Sequence, residues 1–149
     1  MIQHAVALTM ARFCGNEMGS LFAQDPDYSE SSEEILSKKD FQIVGRHGAG
    51  GFAEIDDDSI VISAFPNAPV KQMIADLARP VLIISRGYSF FNEKGKPFAD
   101  ADSPRTRDMW VDYDTYCIPV DHNEVEMRLA LQGLQLYHRR PQAVEARGD

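Results

Sequence analysis

The sequence predicts an α+β fold: a single domain with an antiparallel or mixed sheet of about four to five strands and helices packed on one face. Its 149 residues fit one domain of the commonest size. Runs rich in β-branched residues are interspersed with segments of helical periodicity. Hydrophobic residues make up 44% of the chain and charged residues 26%, which are ordinary globular values.

Two helices are predicted in the N-terminal part. Residues 2–13 form the first, because four apolar side chains recur on one helical face: Ile2, Val6, Met10 and Phe13. Ser31 and Glu34 match a capping box and predict the start of a second, short helix. The stretch QDPDYSESSEE between them contains no basic residue, which predicts a solvated loop.

The middle of the chain predicts strand, strand, helix and strand. FQIVGRH and SIVISAF have strand composition. APVKQMIADLA follows as a helix, with Pro69 in its first turn and Pro80 at its end. The most apolar run, VLIISRGYSFF, predicts a strand at the centre of the sheet. KPFADADSPRTR is predicted to be a polar connection.

Residues 108–120, DMWVDYDTYCIPV, predict a further strand. The twofold alternation of a strand separates two sets of side chains. One set is predicted to face the core: Met109, Val111, Tyr113 and Cys117. The other set combines two carboxylates with aromatic rings: Trp110, Asp112, Asp114 and Tyr116.

The segment DHNEVEMRLALQGLQLYHRR, residues 121–140, predicts the longest helix. Asp121 would cap it, and Glu124 with Arg128 would form an i,i+4 ion pair. Pro141 would end the helix. The last residues, 142–149, are predicted to form a flexible tail.

The net charge and the two cysteines limit the classes of partner, cofactor and compartment that we expect for this protein. The net charge of −8 opposes direct binding to nucleic acid or to an anionic membrane. Cys14 and Cys117 show no zinc-ligand spacing, so no metal or cofactor is expected. Two free thiols suit a reducing cytoplasm. Cys117, on the predicted core face, is expected to be buried and inert.

The N-terminal segment MIQHAVALTMARFCG resembles a lipoprotein signal only superficially. No basic residue precedes its apolar run, and Arg12 and Phe13 stand where small residues precede a cleavage site. No apolar stretch reaches the ~20 residues that span a bilayer. Either Met1 or Met10 could be the true start; if it is Met10, residues 1–9 are a leader extension.

The stretch GRHGAGGFAEIDDD looks most like a ligand loop. Gly48, Gly50 and Ala53 match a dinucleotide-binding pattern, but no helical sequence follows to hold a pyrophosphate. The acids that follow would also repel a phosphate. The sequence instead predicts two successive turns, one a glycine hairpin connection and one formed by Asp56 to Asp58.

Two groups of candidate site residues remain. A pocket hypothesis gathers three acids and two histidines that could act as acids, bases or ligands: His47, Glu54, Asp112, Asp114 and His122. A contact hypothesis uses residue types enriched at ligand and protein interfaces: Tyr88, Arg105, Arg107, Trp110 and Tyr116. The two arginines are expected in a loop, where they could clamp an anion or pair with neighbouring acids.

Since no catalytic motif passes these tests, the leading hypothesis is a small acidic cytoplasmic binding or regulatory protein that acts through protein–protein contact, with self-association as one form. An accessory protein of a phage or other mobile element fits that description. The alternative is a small enzyme or ligand-binding protein with the pocket named above. A second alternative is an acidic inhibitor that mimics nucleic acid and binds a basic partner.

Overall fold

The structure, a computed structural model, describes residues 2–14, 19–87, 94–120 and 123–141. Within them the chain is α+β, as predicted, with five α-helices, a two-stranded sheet and a mixed four-stranded sheet. The chain forms two compact units, Met1–Ile55 and Asp56–Asp149, here called the N-terminal and C-terminal units. The assignment of residues 1–149 to one domain stays a prediction.

The N-terminal unit is built around a small parallel sheet. Its elements are α1 (Ile2–Phe13), β1 (Leu21–Ala23), α2 (Glu30–Ser37), β2 (Phe41–Ile43) and a 3₁₀ turn (Gly51–Glu54). β1 and β2 run parallel, with Leu21 opposite Phe41. Ala23, Leu36 and Phe41 form the core, and Leu8 of α1 packs against it. The first helix therefore lies where it was predicted, although Leu8 fell outside the predicted apolar face.

The start of α2 differs from the predicted Ser31–Glu34 capping box. Ser29 is the N-cap, and its hydroxyl accepts a 3.2 Å hydrogen bond from the backbone N–H of Ser32. Glu34 lies further along the helix and pairs with Lys38 at 2.6 Å. The helix begins before Ser31 because an earlier serine already satisfies its free N–H groups.

The C-terminal unit contains the mixed sheet. Its elements are β3 (Ile60–Ser63), α3 (Val70–Leu77), β4 (Leu82–Arg86), α4 (Pro104–Trp110), β5 (Tyr113–Cys117), α5 (Val125–Leu131) and β6 (Leu134–Arg139). The strand order is β3-β4-β6-β5. β3 and β4 are parallel, whereas β6 is antiparallel to both of its neighbours. The predicted central position of β4 is confirmed, and Ile83 and Ile84 are buried on it.

A β3–α3–β4 crossover connects the two parallel strands. Val70 and Ile74 of α3 are buried, which explains why a short helix is stable here: its apolar side packs into the core. Pro69 is the N-cap of α3, one residue before its predicted place in the first turn. The helix ends before Ala78, whose backbone is extended.

The prediction of one helix over residues 121–140 was wrong. The helix α5 ends at Leu131, Gly133 turns the chain with a φ of 73°, and β6 follows. β6 forms hydrogen-bonded ladders with both β4 and β5. The sequence LQLYHR has a helical propensity, but this preference is weak for each residue. Pairing with two strands stabilises the extended conformation more. The predicted cap Asp121 lies outside the described residues.

The predicted strand over residues 108–120 is only partly correct, because residues 108–110 form the end of a helix. Ser103 and Thr106 form a reciprocal capping box, Pro104 occupies the first turn, and α4 continues to Trp110. The strand β5 begins only at Tyr113. A strong helix start in the preceding polar segment therefore changes the environment of every residue up to Val111.

The predicted faces of that segment need correction for the same reason. Met109 and Tyr113 are buried, as predicted, but Val111 is 68% exposed. Trp110 is buried on the helix, where its ring stacks on Tyr137 with 4.2 Å between ring centroids. Cys117 was expected to be buried and is exposed, because β5 is an edge strand.

No helix in the described ranges is both long enough and apolar enough to cross a bilayer.

Candidate functional site

The C-terminal unit contains a cavity of about 400 Å³ at the carboxyl ends of the parallel strands β3 and β4. The first turn of α3 and the segment before α4 complete its wall. It is lined by Phe65, Pro66, Asn67, Lys71, Arg86, Gly87, Pro97, Phe98, Ala99 and Asp100. Carboxyl ends of parallel strands are where open α/β sheets commonly bind ligands, and the volume suits a small molecule.

Arg86 is positioned at the cavity by two aromatic rings. Its guanidinium carbon lies 5.2 Å from the centroid of Phe65 and 5.0 Å from that of Phe98. Both distances fall within the range of cation–π attraction. Among the described residues, no carboxylate lies within ion-pair distance of Arg86, in contrast to Arg105 and Arg140 of the same unit. The edges of the Arg86 guanidinium can therefore bind an anion.

Phe65 adopts a backbone conformation that aromatic residues rarely take. Its φ is 54°, in the left-handed region. Such a conformation costs about 1–3 kcal/mol and persists only where the surrounding structure holds it. The strained residue therefore lies in the cavity wall, with its ring against Arg86.

Lys71 supplies a second cation, and it is buried. Only 5% of its side chain is exposed, and its Nζ lies 3.9 Å from Oδ2 of Asp100. Burial lowers the pKa of the Lys71 amine, and the nearby positive charge of Arg86 lowers it further. The carboxylates of Asp100 and Asp102 act in the opposite direction.

Asp100 connects the cavity wall to the first turn of α3. The backbone N–H of Lys71 donates a 2.8 Å hydrogen bond to Oδ1 of Asp100. A carboxylate at this position satisfies a free helix N–H and interacts favourably with the helix dipole. Burial raises the pKa of Asp100, while this hydrogen bond and the charge of Lys71 lower it.

The segment that carries Asp100 is held by the start of α4. The hydroxyl of Thr106, which is fully buried, donates a 2.6 Å hydrogen bond to Asp102. The same oxygen accepts a 2.9 Å hydrogen bond from the backbone N–H of Ser103. Asp102 also lies 3.5 Å from Nε of Arg107. These bonds fix the chain just after Asp100 and so keep its carboxylate at α3.

The arrangement suits recognition of a small organic anion. Arg86 and Lys71 both line the cavity, and guanidinium and ammonium groups are the usual partners of carboxylates and phosphates. Phe65, Phe98 and the neighbouring prolines supply apolar surface beside these cations. A ligand with a charged end and a short apolar part matches both.

The five residues of the predicted pocket fall in different parts of the chain. His47 and Glu54 are exposed in the N-terminal unit, and His122 lies outside the described residues. Asp112 lies 3.6 Å from Nε of Arg79, and Asp114 lies 2.7 Å from Nε of Arg140. In the C-terminal unit, therefore, arginines neutralise the two carboxylates. That these five residues share one pocket stays a prediction.

The glycine loop of the N-terminal unit has a structural explanation. Gly48 has the positive φ expected of it, 87°, but Gly50 does not, and the 3₁₀ turn follows. Gln24 holds the loop: its amide donates to the carbonyl of Gly48 and accepts a 2.7 Å bond from the N–H of Gly51. The predicted hairpin connection was wrong, since the 3₁₀ turn and not a strand follows the glycines, and β2 pairs instead with β1, in parallel. No α-helix follows the glycines, in agreement with the rejection of a dinucleotide site.

The predicted second turn is confirmed. Oδ1 of Asp56 accepts a 3.1 Å hydrogen bond from the backbone N–H of Asp58 and a 2.7 Å bond from the hydroxyl of Ser59.

The residues predicted to contact a ligand or partner differ in their exposure and in their ion pairing. Arg105 and Arg107 lie on α4, where a loop was expected, and they pair with Asp76 and Asp102. The alternative that these arginines pair with neighbouring acids is therefore confirmed. Trp110 is only 6% exposed, whereas Tyr116 is 52% exposed on β5. Tyr88 lies outside the described residues.

The residues of the observed cavity were missed by sequence analysis. One signal was available: helical spacing puts Lys71 on the same side of α3 as the buried Ile74 and Ala75, and a lysine on an apolar face is unusual. Arg86 is the last residue of the apolar strand β4, a common position for a surface residue. Asp100 lies 29 residues from Lys71, so no local pattern links the two.

No cluster of three or more histidine, cysteine, aspartate or glutamate side chains in the described residues could hold a metal ion. Comparisons with known protein families, with curated proteins and with solved structures found no match to this chain.

Proposed function

We propose that the C-terminal unit binds a small organic anion, a carboxylate or phosphate with a short apolar part, in the cavity beside β3 and β4. One observation carries the proposal: Arg86 stacks on Phe65 and Phe98 at the cavity, with no carboxylate partner among the described residues. Partial burial removes some of the water that would solvate the charge of an arginine. A bound anion would compensate for this loss through charge-assisted hydrogen bonds.

Lys71 supports this proposal independently. Its positive charge is only partly balanced, because the nearest Asp100 oxygen is 3.9 Å away and that carboxylate also accepts a hydrogen bond from the helix backbone. A ligand anion between Arg86 and Lys71 would interact with both charges, and the burial of Lys71 would strengthen its part of that interaction.

The test is a titration of the full chain with benzoate and phenyl phosphate, followed by two-dimensional amide NMR. Benzyl alcohol serves as a neutral probe of similar shape. The anions are expected to shift, with saturation, the amide resonances of cavity residues that carry an N–H, among them Phe65, Asn67, Arg86, Gly87, Phe98, Ala99 and Asp100. Benzyl alcohol should bind at least about tenfold more weakly, since it lacks a charge-assisted hydrogen bond to Arg86.

The variant Arg86→Gln should weaken benzoate binding about tenfold or more. The matched control is Arg105→Gln, which removes an exposed arginine that is not among the cavity-lining residues. The proposal fails if neither anion saturates the site, if benzyl alcohol binds equally well, or if Arg86→Gln binds benzoate as tightly as the wild type.

A second candidate function is protein–protein contact, and α5 favours it. This helix exposes three apolar side chains: Val125, Met127 and Leu129. Val125 and Leu129 are four residues apart and so lie on one side of the helix. Exposed apolar surface of this kind is typical of interaction sites. We propose that α5 contacts a protein partner, and a second copy of this chain is the first partner to test.

Native mass spectrometry and sedimentation velocity measure this association. A dimer that Leu129→Glu dissociates, but Leu77→Glu does not, would support it. Leu77 is the control because it is a similarly exposed leucine on α3. If the protein is a monomer at every concentration tested, α5 does not mediate self-association. Both proposed functions are set in the cytoplasm, where Cys14 and Cys117 would remain thiols.

A further inference from the structure

Lys71 has surroundings that are rare for a lysine. Its side chain is almost fully buried in the first turn of α3 and lines the cavity. In the described part of the chain, its ion-pair partner is Asp100, at 3.9 Å, which is beyond hydrogen-bond distance. Simple structural lysines are exposed or form close ion pairs. The amine of Lys71 instead lies at a cavity with only a distant partner.

Three features of this position favour the neutral amine over the ammonium ion. Burial removes solvation from the charge, and Arg86 adds a second positive charge nearby. The N-terminus of α3 also carries the positive end of the helix dipole. Asp100 and Asp102 oppose these effects, but the pKa of Lys71 is still lowered. A neutral amine has the free electron pair that nucleophilic attack needs.

We propose that Lys71 forms an imine with the carbonyl group of a small oxo acid whose carboxylate is bound by Arg86. This inference rests on the proposed function and specifies its ligand class: a molecule with both a carboxylate and an aldehyde or ketone. The aromatic rings of Phe65 and Phe98 hold Arg86, while Asp100 holds the first turn that carries Lys71. Arg86 therefore serves in binding, whereas the neutral fraction of Lys71 serves in bond formation.

The chemistry balances without an external oxidant or reductant. The Nζ electron pair of Lys71 attacks the carbonyl carbon, and a proton moves from nitrogen to oxygen to give a carbinolamine. The carbon–oxygen bond then breaks, the hydroxyl leaves as water after protonation, and a carbon–nitrogen double bond forms. Asp100 is the carboxyl group that pairs with Lys71 among the described residues, and because burial raises its pKa it is the candidate to transfer this proton.

Reductive trapping tests the proposal. The full chain is incubated with glyoxylate and sodium cyanoborohydride, which reduces an imine to a stable secondary amine. Peptide mapping by mass spectrometry then identifies the lysine that has gained a carboxymethyl group. Lys71 is expected to react faster than the other lysines at neutral pH, since its lowered pKa raises the fraction of neutral amine. The lysines for comparison are Lys38, Lys39, Lys94 and Lys96.

Variants separate reactivity from binding. Lys71→Met should abolish the fast labelling, and its circular dichroism spectrum shows whether it folds. Arg86→Gln keeps the lysine and should slow its labelling by glyoxylate more than its labelling by the neutral aldehyde propanal, because the loss of the Arg86 charge also removes one cause of the lowered pKa of Lys71. Arg105→Gln should label like the wild type.

The outcomes distinguish the two proposals. If benzoate binds and Arg86→Gln weakens it, but Lys71 reacts no faster than the other lysines, the imine proposal is overturned and the proposed function stands. If neither benzoate nor glyoxylate binds, and Arg86→Gln labels at the wild-type rate with both aldehydes, the anion site itself is wrong and the imine proposal falls with it.

Discussion

Both oxygens of the Asp100 carboxylate face Lys71: Oδ1 accepts a 2.8 Å hydrogen bond from its backbone N–H, and Oδ2 lies 3.9 Å from its Nζ. One side chain thus stabilises both the start of a helix and a buried charge on that helix. Because the two residues are far apart in sequence, this contact also anchors the segment before α4 to α3.

Replacement of Asp100 should destabilise the protein. Asp100→Ala removes the cap of α3 and leaves Lys71 without its buried partner, so we expect a loss of about 3 kcal/mol in the free energy of unfolding. Asp100→Asn retains an oxygen that can accept the backbone hydrogen bond, and about half of that loss is expected. Urea unfolding followed by the fluorescence of Trp110, the single tryptophan, measures both.

The control for Asp100 is Asp76→Ala. Asp76 is an acid on the same helix, but it is half exposed and pairs with Arg105 at the surface. Its removal should change the free energy of unfolding by at most about 0.5 kcal/mol. Equal effects of the two alanine variants would contradict the role assigned to Asp100.

The buried hydroxyl of Thr106 gives a second prediction. Thr106→Val preserves the shape of the side chain but removes its hydrogen bonds to Asp102 and Ser103. We expect a loss of about 2 kcal/mol, the value typical of a hydrogen bond to a charged group. Thr115→Val, at an exposed position on β5, is the matched control and should be neutral or slightly stabilising, because valine favours strands. Urea unfolding measures the free energy of unfolding of both variants, and equal values would contradict the role assigned to the Thr106 hydroxyl.

Gly133 permits a third prediction about the turn from α5 into β6. Its φ of 73° is unfavourable for residues with a Cβ. The space itself is sufficient, because a Cβ at this position would meet two side-chain nitrogens of Arg86 at ordinary distances of 3.5 and 3.7 Å. Gly133→Ala should therefore cost about 1–2 kcal/mol through backbone strain alone. Gly133→Asn should cost less than alanine despite its larger side chain, because asparagine tolerates this conformation. Urea unfolding of the two variants measures the order, and the reverse order would indicate steric crowding instead.

The fourth prediction concerns pH and the N-terminal unit. His4 Nε2 lies 2.6 Å from the hydroxyl of Tyr28, and its ring packs edge-on against Phe41. Burial lowers the pKa of His4, and the N-terminal charge adds to this, against an opposite effect of Asp25. The folded pKa is below the ordinary value of about 6.5, so the stabilisation is present above that pH and is lost as the pH falls through the folded pKa.

Unfolding measured by circular dichroism at neutral and mildly acidic pH tests this assignment. The free energy of unfolding of the wild type, taken relative to His4→Gln, should decrease on acidification. Because both proteins share every other titrating group, the difference isolates His4. An unchanged difference between the two pH values would show that His4 has no part in the pH dependence.

Local patterns predicted the elements whose stability is mainly local or whose composition is strongly biased. The helix α1, the strands β3 and β4 and the helix between them follow from periodicity and β-branched content. β6 was missed because Leu134, Leu136 and Tyr137 fit a continued helix as well as a strand, and pairing with two other strands decided between them. Such pairing depends on residues distant in sequence.

The cavity was beyond the reach of sequence analysis for a related reason. Phe65, Arg86 and Phe98 come from three separate segments, and only the sheet brings them together. Sequence analysis did identify a chemically suitable set of side chains, including Asp112 and Asp114, but arginines from distant positions neutralise these acids. A residue type indicates what a side chain can do, whereas its partners determine whether it is available.

The position of β6 has a consequence for synthesis of the chain. Among the described residues it is the last strand in sequence, yet it lies between β4 and β5, and both of them pair with it. As the chain leaves the ribosome, β3 and β4 can meet early, but β5 has no neighbour in the sheet until residues 134–139 emerge. The sheet therefore closes late, and until then the exposed edges of β4 and β5 are open to incorrect pairing with other chains.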